Sequence, residues 1–200
     1  MAQDEDLTTR RRDGAATRQR ALRVALTLFT EQGYEATSLR QIADELGINK
    51  ASLYYHFPNK EAILRSVFEQ RGSEAAELVA WFERQSRTPA LIRDTVLRWV
   101  DSFSEEKLQG IRFLRGNPFI GRALSETDGD RIGDPLNRLS GSLAGLLPDP
   151  TPENAVLIRM ALLSINAAVE AAIGTGATDA EIIAAAHAAA EVLIRAALEP

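Results

Sequence analysis

The amino-acid sequence predicts an all-α protein with an N-terminal three-helix helix-turn-helix head and a C-terminal helical bundle. Apolar residues recur at helical spacing along most of the 200 residues, and no segment shows the strict alternation of a β-strand. Residues 38–57 also have the helix, Gly-containing turn and helix of a helix-turn-helix. We therefore expect three segments: a flexible arm at 1–14, a helix-turn-helix DNA-binding domain at 15–60, and a ligand-binding and dimerisation domain at 61–200.

The N-terminal arm is polar and highly charged, and it has no apolar periodicity. Its three consecutive arginines, residues 10–12, could lie in a minor groove of DNA, where arginine is favoured, or could simply be solvated. After the arm, the spacing predicts a first helix from about Ala16 to Gln32, ended by Gly33.

The helix-turn-helix begins with a short amphipathic helix whose N-cap we expect to be Thr37 or Ser38. Gly47 ends this helix, since glycine adopts the left-handed cap conformation without strain. A second short helix at 50–56 follows, with Leu53 as its buried anchor. The helix that Gly47 ends has an apolar stripe at i, i+3, i+4 and i+7, formed by Leu39, Ile42, Ala43 and Leu46.

The second short helix has the chemistry of a DNA-contacting element. It carries side chains that donate hydrogen bonds to phosphates or base edges. The net charge of −5 is no obstacle, because phosphate attraction needs only a local basic surface. Residues 1–60 contain nine basic and eight acidic side chains, whereas 61–200 contain fourteen and twenty. The donors are Lys50, Ser52, Tyr54, Tyr55 and His56.

Capping signals divide the rest of the chain into helices. Asn59 is placed to cap a long helix running from Lys60 to about Arg87, and Thr88 precedes a proline start signal. Residues 118–150 are the least readable. The remaining predicted helices are Glu106–Arg115, pieces near Phe119–Leu124 and Pro135–Leu147, a helix from Glu153 to Ile173 started by Thr151-Pro152, and a helix ending at Leu198 started by a Thr178/Glu181 capping box.

The last two helices are apolar over more than one face, which exceeds what burial within one chain demands. This favours a homodimer built as a four-helix bundle, with two helices from each subunit. The alternative is that one of these helices is simply a central core helix. The residues concerned include Ile158, Leu162, Ile165, Val169, Ile182, Ile183, Val192, Leu193 and Ile194.

The segment RQRALRVALTLFTEQGYEATSLRQIADELGINKASLYYHFPNKEAIL resembles the DNA-binding domain of TetR-family transcriptional regulators. The resemblance covers about Arg18 to Leu64; beyond it the similarity is one of architecture. The positions that fit the family pattern are Phe29, Gly33, Tyr34, Thr37, Ile42, Ala43, Gly47, Leu53, Tyr54, Phe57 and Lys60.

The resemblance implies a dimeric regulator, expected to be a repressor, whose recognition helices enter successive major grooves of a palindromic operator. Lys50 is long enough to reach guanine O6/N7, and Ala51 is small enough for a thymine methyl group. Roles other than DNA contact remain open: Tyr54 as a partly buried core residue, His56 as a residue that orients the turn, and Arg40 as a solvated side chain. The matching positions for base edges or nearby phosphates are Arg40, Lys50, Ala51 and Ser52, and those for the DNA backbone are Ser38, Tyr54, Tyr55, His56 and Lys60.

The resemblance also implies a small-molecule effector bound among the C-terminal helices, expected to be largely apolar or aromatic. Aromatic residues at helical spacing are candidate cavity walls, although they could equally be plain core. Arg159, Asn166 and Glu170 share one helix face and would need partners if buried. The aromatic candidates are Trp81, Phe82, Trp99, Phe103, Phe113 and Phe119.

Other classes of function find little support. The sequence has no readable catalytic arrangement, no phosphate-binding glycine loop and no cysteine, so we expect no enzyme, cofactor or metal site. The acidic stretch at Asp128, Asp130 and Asp134 lacks the rest of a calcium loop. Since no apolar run is long enough for a bilayer and no secretory signal is present, a cytoplasmic protein is expected. The rival hypothesis is a DNA-binding regulator controlled by a protein partner without a small-molecule ligand.

Overall fold

The first helix, α1 (Ala2–Gln32), begins well before the predicted start at about Ala16. The computed structural model describes residues 2–117, 120 and 133–199, with side chains from residue 14 onward. The expectation of a patternless arm at 1–14 was wrong for the backbone, which is helical from Ala2. Residues 2–13 contain no proline or glycine, so a helix can extend through them without an apolar stripe. The side chains of Arg10, Arg11 and Arg12 lie outside the described residues.

Helices α2 (Leu39–Leu46) and α3 (Lys50–His56) form the predicted helix-turn-helix. Ser38 is the N-cap of α2, and its hydroxyl accepts from the backbone N–H of Gln41. Gly47 has a φ of +68°, the left-handed conformation expected at the end of the stripe helix. All four stripe residues are buried, as the spacing predicts.

Helix α4 (Lys60–Glu83) is capped by Asn59, whose side chain accepts from the backbone N–H of Ala62 at 2.8 Å. It ends four residues before the predicted Arg87, ahead of the proline at 89. The chain divides within α4 into two compact units, here called the head (Met1–Phe68) and the body (Glu69–Pro200). The predicted boundary at residue 60 therefore lies at the start of α4, whereas the compact head includes its first turns.

The described part of the body contains six further helices. They are α5 (Ala90–Asp101), α6 (Glu105–Gly116), α7 (Gly133–Ala144), α8 (Pro152–Leu162), α9 (Ser164–Ala171) and α10 (Asp179–Leu198). Helix α10 packs against α5, α8 and α9, and the core between them is aliphatic and aromatic. The predicted helical piece near 119–124, apart from residue 120, and most of the acidic turn at 128–134 lie outside the described residues.

Two further predicted helix boundaries in the body were wrong. Thr88 does not cap α5, which begins at Ala90 without a side-chain cap bond. The single helix expected from Glu153 to Ile173 is two helices, because the chain bends by 62° at Leu163. No helix within the described residues is by itself long and apolar enough to span a membrane; α8 and α9 meet the length and composition criteria only as a bent pair.

Candidate nucleic-acid interface and pockets of the body

Helix α3 is held to the head by one side chain and leaves its other face free. Within Lys50–His56, all of which the structure describes, Leu53 is the one buried residue. The Asn49 side chain accepts from the backbone N–H of Ser52 at 2.8 Å, which fixes the first turn. A short helix with one buried anchor and a capped start presents its outer side chains in a defined orientation.

Most of the predicted DNA-contacting residues are accessible at this surface. Tyr55 is 86% exposed, so its ring has no core role. Tyr54 is also exposed, and the ammonium of Lys50 lies 5.1 Å from the centre of its ring. The exposed candidates are Ser38, Arg40, Lys50, Ala51, Tyr54 and Tyr55, and the half-buried candidates are Ser52, His56 and Lys60.

Two candidates also take part in contacts of α2. The Ser38 hydroxyl donates to Gln41 Oε1 at 2.8 Å and belongs to a capping box. Arg40 lies 3.8 Å from the carboxylate of Asp44, one turn further along the exposed face. An exposed pair of this kind is weak, so Arg40 remains able to turn toward a phosphate.

Lys60 has a structural role that sequence reasoning missed. Its ammonium donates to the backbone carbonyls of Tyr34, at 2.6 Å, and Glu35, at 3.4 Å. The Tyr34 hydroxyl in turn donates to Glu61 Oε1 at 3.0 Å, and burial followed by this carboxylate raises the pKa of Tyr34. Two of the three Lys60 donors are thus directed at the loop before α2. Only the folded chain reveals this, because these partners are distant in sequence.

Some aromatic candidates of the body are core residues and some line pockets, and Trp99 does both. Trp99, Phe103 and Phe113 are buried in the body core, while Trp81 is half-buried. Phe119 lies outside the described residues. A pocket of about 490 Å³ and another of about 790 Å³ adjoin α4 and α5, and Trp81 lines both.

The polar candidates Arg159, Asn166 and Glu170 are all exposed in the single chain. The bend at Leu163 separates Arg159 from the other two. Arg159 donates to Asn137 Oδ1 at 2.8 Å, and Glu170 forms an ion pair with Arg115. Their predicted role in effector binding required that they be buried, and none of the three is buried within the described chain.

Arg71, a residue that sequence reasoning did not single out, lies in the body against two aromatic rings. Its guanidinium carbon is 4.6 Å from the ring centre of Trp99 and 4.1 Å from that of Phe103. A signal was available: Arg71 follows Leu64 by seven residues and precedes Leu78 by seven, on the stripe that α4 buries. A charged residue at such a position is unusual and points to a special environment.

Comparison with known proteins agrees with this geometry. Residues 21–67 match the family model described as "Bacterial regulatory proteins, tetR family". The HTH-type transcriptional regulator AcrR of Shigella flexneri is 31% identical over 101 residues, 48% of this chain and 46% of AcrR. The biofilm operon icaADBC HTH-type negative transcriptional regulator IcaR of Staphylococcus epidermidis is 53% identical over 45 residues, 22% of this chain and 24% of IcaR. The chain thus spans less than half the length of either relative.

Solved structures resemble the fold over most of the chain. The ketosteroid transcriptional regulator KstR2 of Mycobacterium tuberculosis has a TM-score of 0.64 at 17% identity, covering 90% of this chain and 92% of KstR2. A TetR-family regulator from Agrobacterium tumefaciens has a TM-score of 0.57 at 20% identity, covering 93% and 97%. The matched relatives are transcriptional regulators rather than enzymes. The N-terminal helix-turn-helix domain, at residues 21–67, is thus similar to that of the TetR family of bacterial regulatory proteins.

Proposed function

We propose that the protein is a transcriptional repressor that binds a palindromic DNA operator as a homodimer and is released by a small-molecule effector. The exposed face of α3 carries the proposal. Lys50 and Tyr55 are free to reach a polyanion, while Leu53 keeps the helix in place. The repressor role is supported by IcaR, whose name describes a negative regulator. Because its target is chromosomal DNA, we place the protein in the bacterial cytoplasm.

The homodimer is supported by the apolar side chains that the body leaves exposed. Seven large hydrophobic side chains are exposed among the described residues; two are the tyrosines of α3 and the other five lie between Val156 and Val192. Helix α10 buries one apolar face within the chain and exposes a second apolar stripe that is chiefly alanine. Small residues allow two helices to approach closely, so a second copy of the chain is the proposed partner. The exposed stripe consists of Ala185, Ala189, Val192 and Ala196.

The effector is supported by the pocket of about 490 Å³ beside α4 and α5, which is large enough for a small organic molecule. The alternative, control by a protein partner without a small-molecule ligand, gives this pocket no occupant.

The decisive experiment is a binding titration of the full chain with duplexes selected from a random DNA pool. We expect nanomolar, salt-sensitive binding of a selected palindrome. Lys50→Ala should weaken it by roughly tenfold or more, since one base or phosphate contact contributes about 1–3 kcal/mol. The matched control is Arg138→Ala, an exposed arginine of α7, which should leave the affinity unchanged. Absence of salt-sensitive affinity for every duplex in the pool would contradict the proposal.

A further inference from the structure

Arg71 is a cation held in an environment that disfavours charge. Its side chain is only 13% exposed, and it contacts the rings of Trp99 and Phe103. Burial lowers the pKa of Arg71, and the neighbouring Glu74 carboxylate opposes that shift. A buried guanidinium is tolerated when its N–H groups find acceptors, so the acceptors around it determine what this region of the body can bind.

The acceptors around Arg71 do not pair all of its N–H groups. Nη1 of Arg71 donates to Glu74 Oε2, and the other oxygen of Glu74 lies 3.0 Å from Lys107 Nζ. One carboxylate therefore serves two cations. Lys107 also donates to the backbone carbonyl of Ser102 at 2.6 Å. Nη2 of Arg71 is buried and has no hydrogen-bond partner among the described residues. The cluster of Arg71, Glu74 and Lys107 thus carries excess positive charge and an unused donor group.

This cluster adjoins the pocket of about 490 Å³. Glu74, Lys107 and Trp99 are part of its wall, and Trp81 lines it as well. Arg84 and Arg98 add two more cations to the lining, against the single further carboxylate of Glu77. The pocket therefore combines aromatic walls with an excess of cationic groups, which differs from the apolar cavity expected from the sequence.

We propose that this pocket binds an aromatic carboxylate, whose ring lies against Trp81 and Trp99 and whose carboxylate binds Lys107 and Arg71. Lys107 is part of the pocket wall, whereas Arg71 is not and is bonded to Glu74, which is. The proposal therefore requires the Glu74 side chain to change conformation and open Nη2 of Arg71 to the ligand. The ligand then supplies the second carboxylate that the cluster lacks. This inference rests on the proposed effector function and names the chemical class of the effector.

The two tryptophans of the chain provide a local probe, because Trp81 and Trp99 both line this pocket. The full-length protein is titrated with 3-phenylpropanoate and with its uncharged analogue 3-phenylpropanamide, following tryptophan emission and heat. We expect saturable quenching by both, with a dissociation constant at least about tenfold lower for the carboxylate. Arg71→Gln and, separately, Lys107→Gln should reduce this preference to about threefold or less, while Arg138→Gln should keep it.

Several outcomes would overturn the proposal. These are equal affinity for the amide and the carboxylate, no saturable quenching by 3-phenylpropanoate up to about 10 mM, or retention of the preference in both cluster variants. If Arg71→Gln does not fold, the proposal is still tested by comparing the two ligands on the wild-type protein and on the Lys107→Gln variant. Operator binding is measured separately without ligand, and its absence would contradict the proposed function without affecting the anion site. If the carboxylate binds selectively but operator affinity does not change, the result supports the anion site. It then contradicts the role of that site in releasing the protein from DNA.

Discussion

The head and the body expose different kinds of surface. On α3 of the head, the exposed large side chains are Tyr54 and Tyr55, which end in hydroxyl groups, beside the ammonium of Lys50. In the body, the exposed large hydrophobic side chains are apolar throughout, such as those of Met160 and Val192. Polar-tipped side chains suit a hydrated polyanion, whereas aliphatic side chains gain most from another apolar surface. One chain therefore exposes two chemically different surfaces, in line with the proposed contacts to DNA and to a second copy of the chain.

Polar contacts over long sequence distances occur in both units. In the head, Arg18 donates to Ser66 Oγ at 2.6 Å, and its guanidinium lies 5.0 Å from the ring centre of Phe57. In the body, Nδ1 of His187 lies 2.7 Å from Asp101 Oδ1. The cores of both units are chiefly aliphatic and aromatic.

The largest effect should come from charges placed on the exposed apolar surface of the body. We expect the double variant Met160→Glu, Val192→Glu to be monomeric, because burying two carboxylates in a dimer interface is costly. Loss of the second half-site contact should then weaken operator binding by about a hundredfold. Sedimentation velocity and a DNA titration measure both effects. Ser142→Glu, an exposed position of α7, is the matched control, and an unchanged dimer in the double variant would place the interface elsewhere.

The next largest effect concerns the anchor of α3. Leu53→Ala should lower the free energy of unfolding by about 2–5 kcal/mol, because Leu53 is fully buried and its removal leaves a cavity. Urea unfolding followed by circular dichroism measures this. Tyr55→Ala in the same helix should change stability by less than about 0.5 kcal/mol, since Tyr55 is exposed. Similar losses in the two variants would show that burial does not distinguish the two faces of α3.

A smaller effect is expected from the Tyr55 hydroxyl alone. Tyr55→Phe should weaken operator binding by roughly three- to tenfold, the value of one hydrogen bond of about 0.5–1.5 kcal/mol. The loss should be less than for Lys50→Ala, and the dimer should be unaffected. Fluorescence anisotropy at several salt concentrations provides the measurement. Unchanged affinity in both variants would remove this surface of α3 as the DNA contact.

The smallest effect contrasts two capping boxes, one in each unit. The head uses the neutral Gln41 to accept from Ser38, whereas the body uses the ionisable Glu181 to accept from the Thr178 N–H at 2.7 Å. Hydrogen bonds from the Thr178 backbone, then its side chain, lower the pKa of Glu181 below its ordinary value of 4.5. A lowered folded-state pKa means that ionised Glu181 stabilises the fold above pH 4.5, and that this contribution is lost as pH falls through the folded-state value.

The two boxes should therefore respond differently to acid. The destabilisation caused by Glu181→Ala should be largest near neutral pH and shrink toward pH 3, as wild-type Glu181 becomes protonated. Gln41→Ala should cost the same at both pH values, because its side chain does not titrate. Thermal unfolding of the three proteins at a series of pH values measures this, and a pH-independent Glu181→Ala penalty would contradict the role given to the carboxylate.

Features that depend on neighbours within a few residues could be predicted from the sequence. The caps at Asn59, Thr151 and Thr178 and the left-handed Gly47 are all as expected. Each follows from a side chain and backbone groups within about one helical turn. The assignment of α3 as the outward-facing helix was likewise predictable, because Leu53 is its single apolar anchor.

Features that depend on distant partners could not be predicted. The Lys60 ammonium reaches the carbonyl of Tyr34, 26 residues earlier. The bend at Leu163 has no proline or glycine to mark it. We expected Arg159 to share one face of a straight helix with Asn166 and Glu170, but the bend at Leu163 places it on a different helix. Helix α1 also extends beyond its apolar stripe, since helical backbone bonds need no buried face to continue.

The residue pattern alone predicted the helices, the helix-turn-helix and the resemblance to a family of regulators, because these rest on spacing, capping and glycine conformation, which act locally. The folded chain alone revealed the charged pocket beside Trp81 and the partial pairing of Arg71. Burial and long-range hydrogen bonds depend on which helices pack together, and that arrangement is a property of the whole core rather than of any one segment.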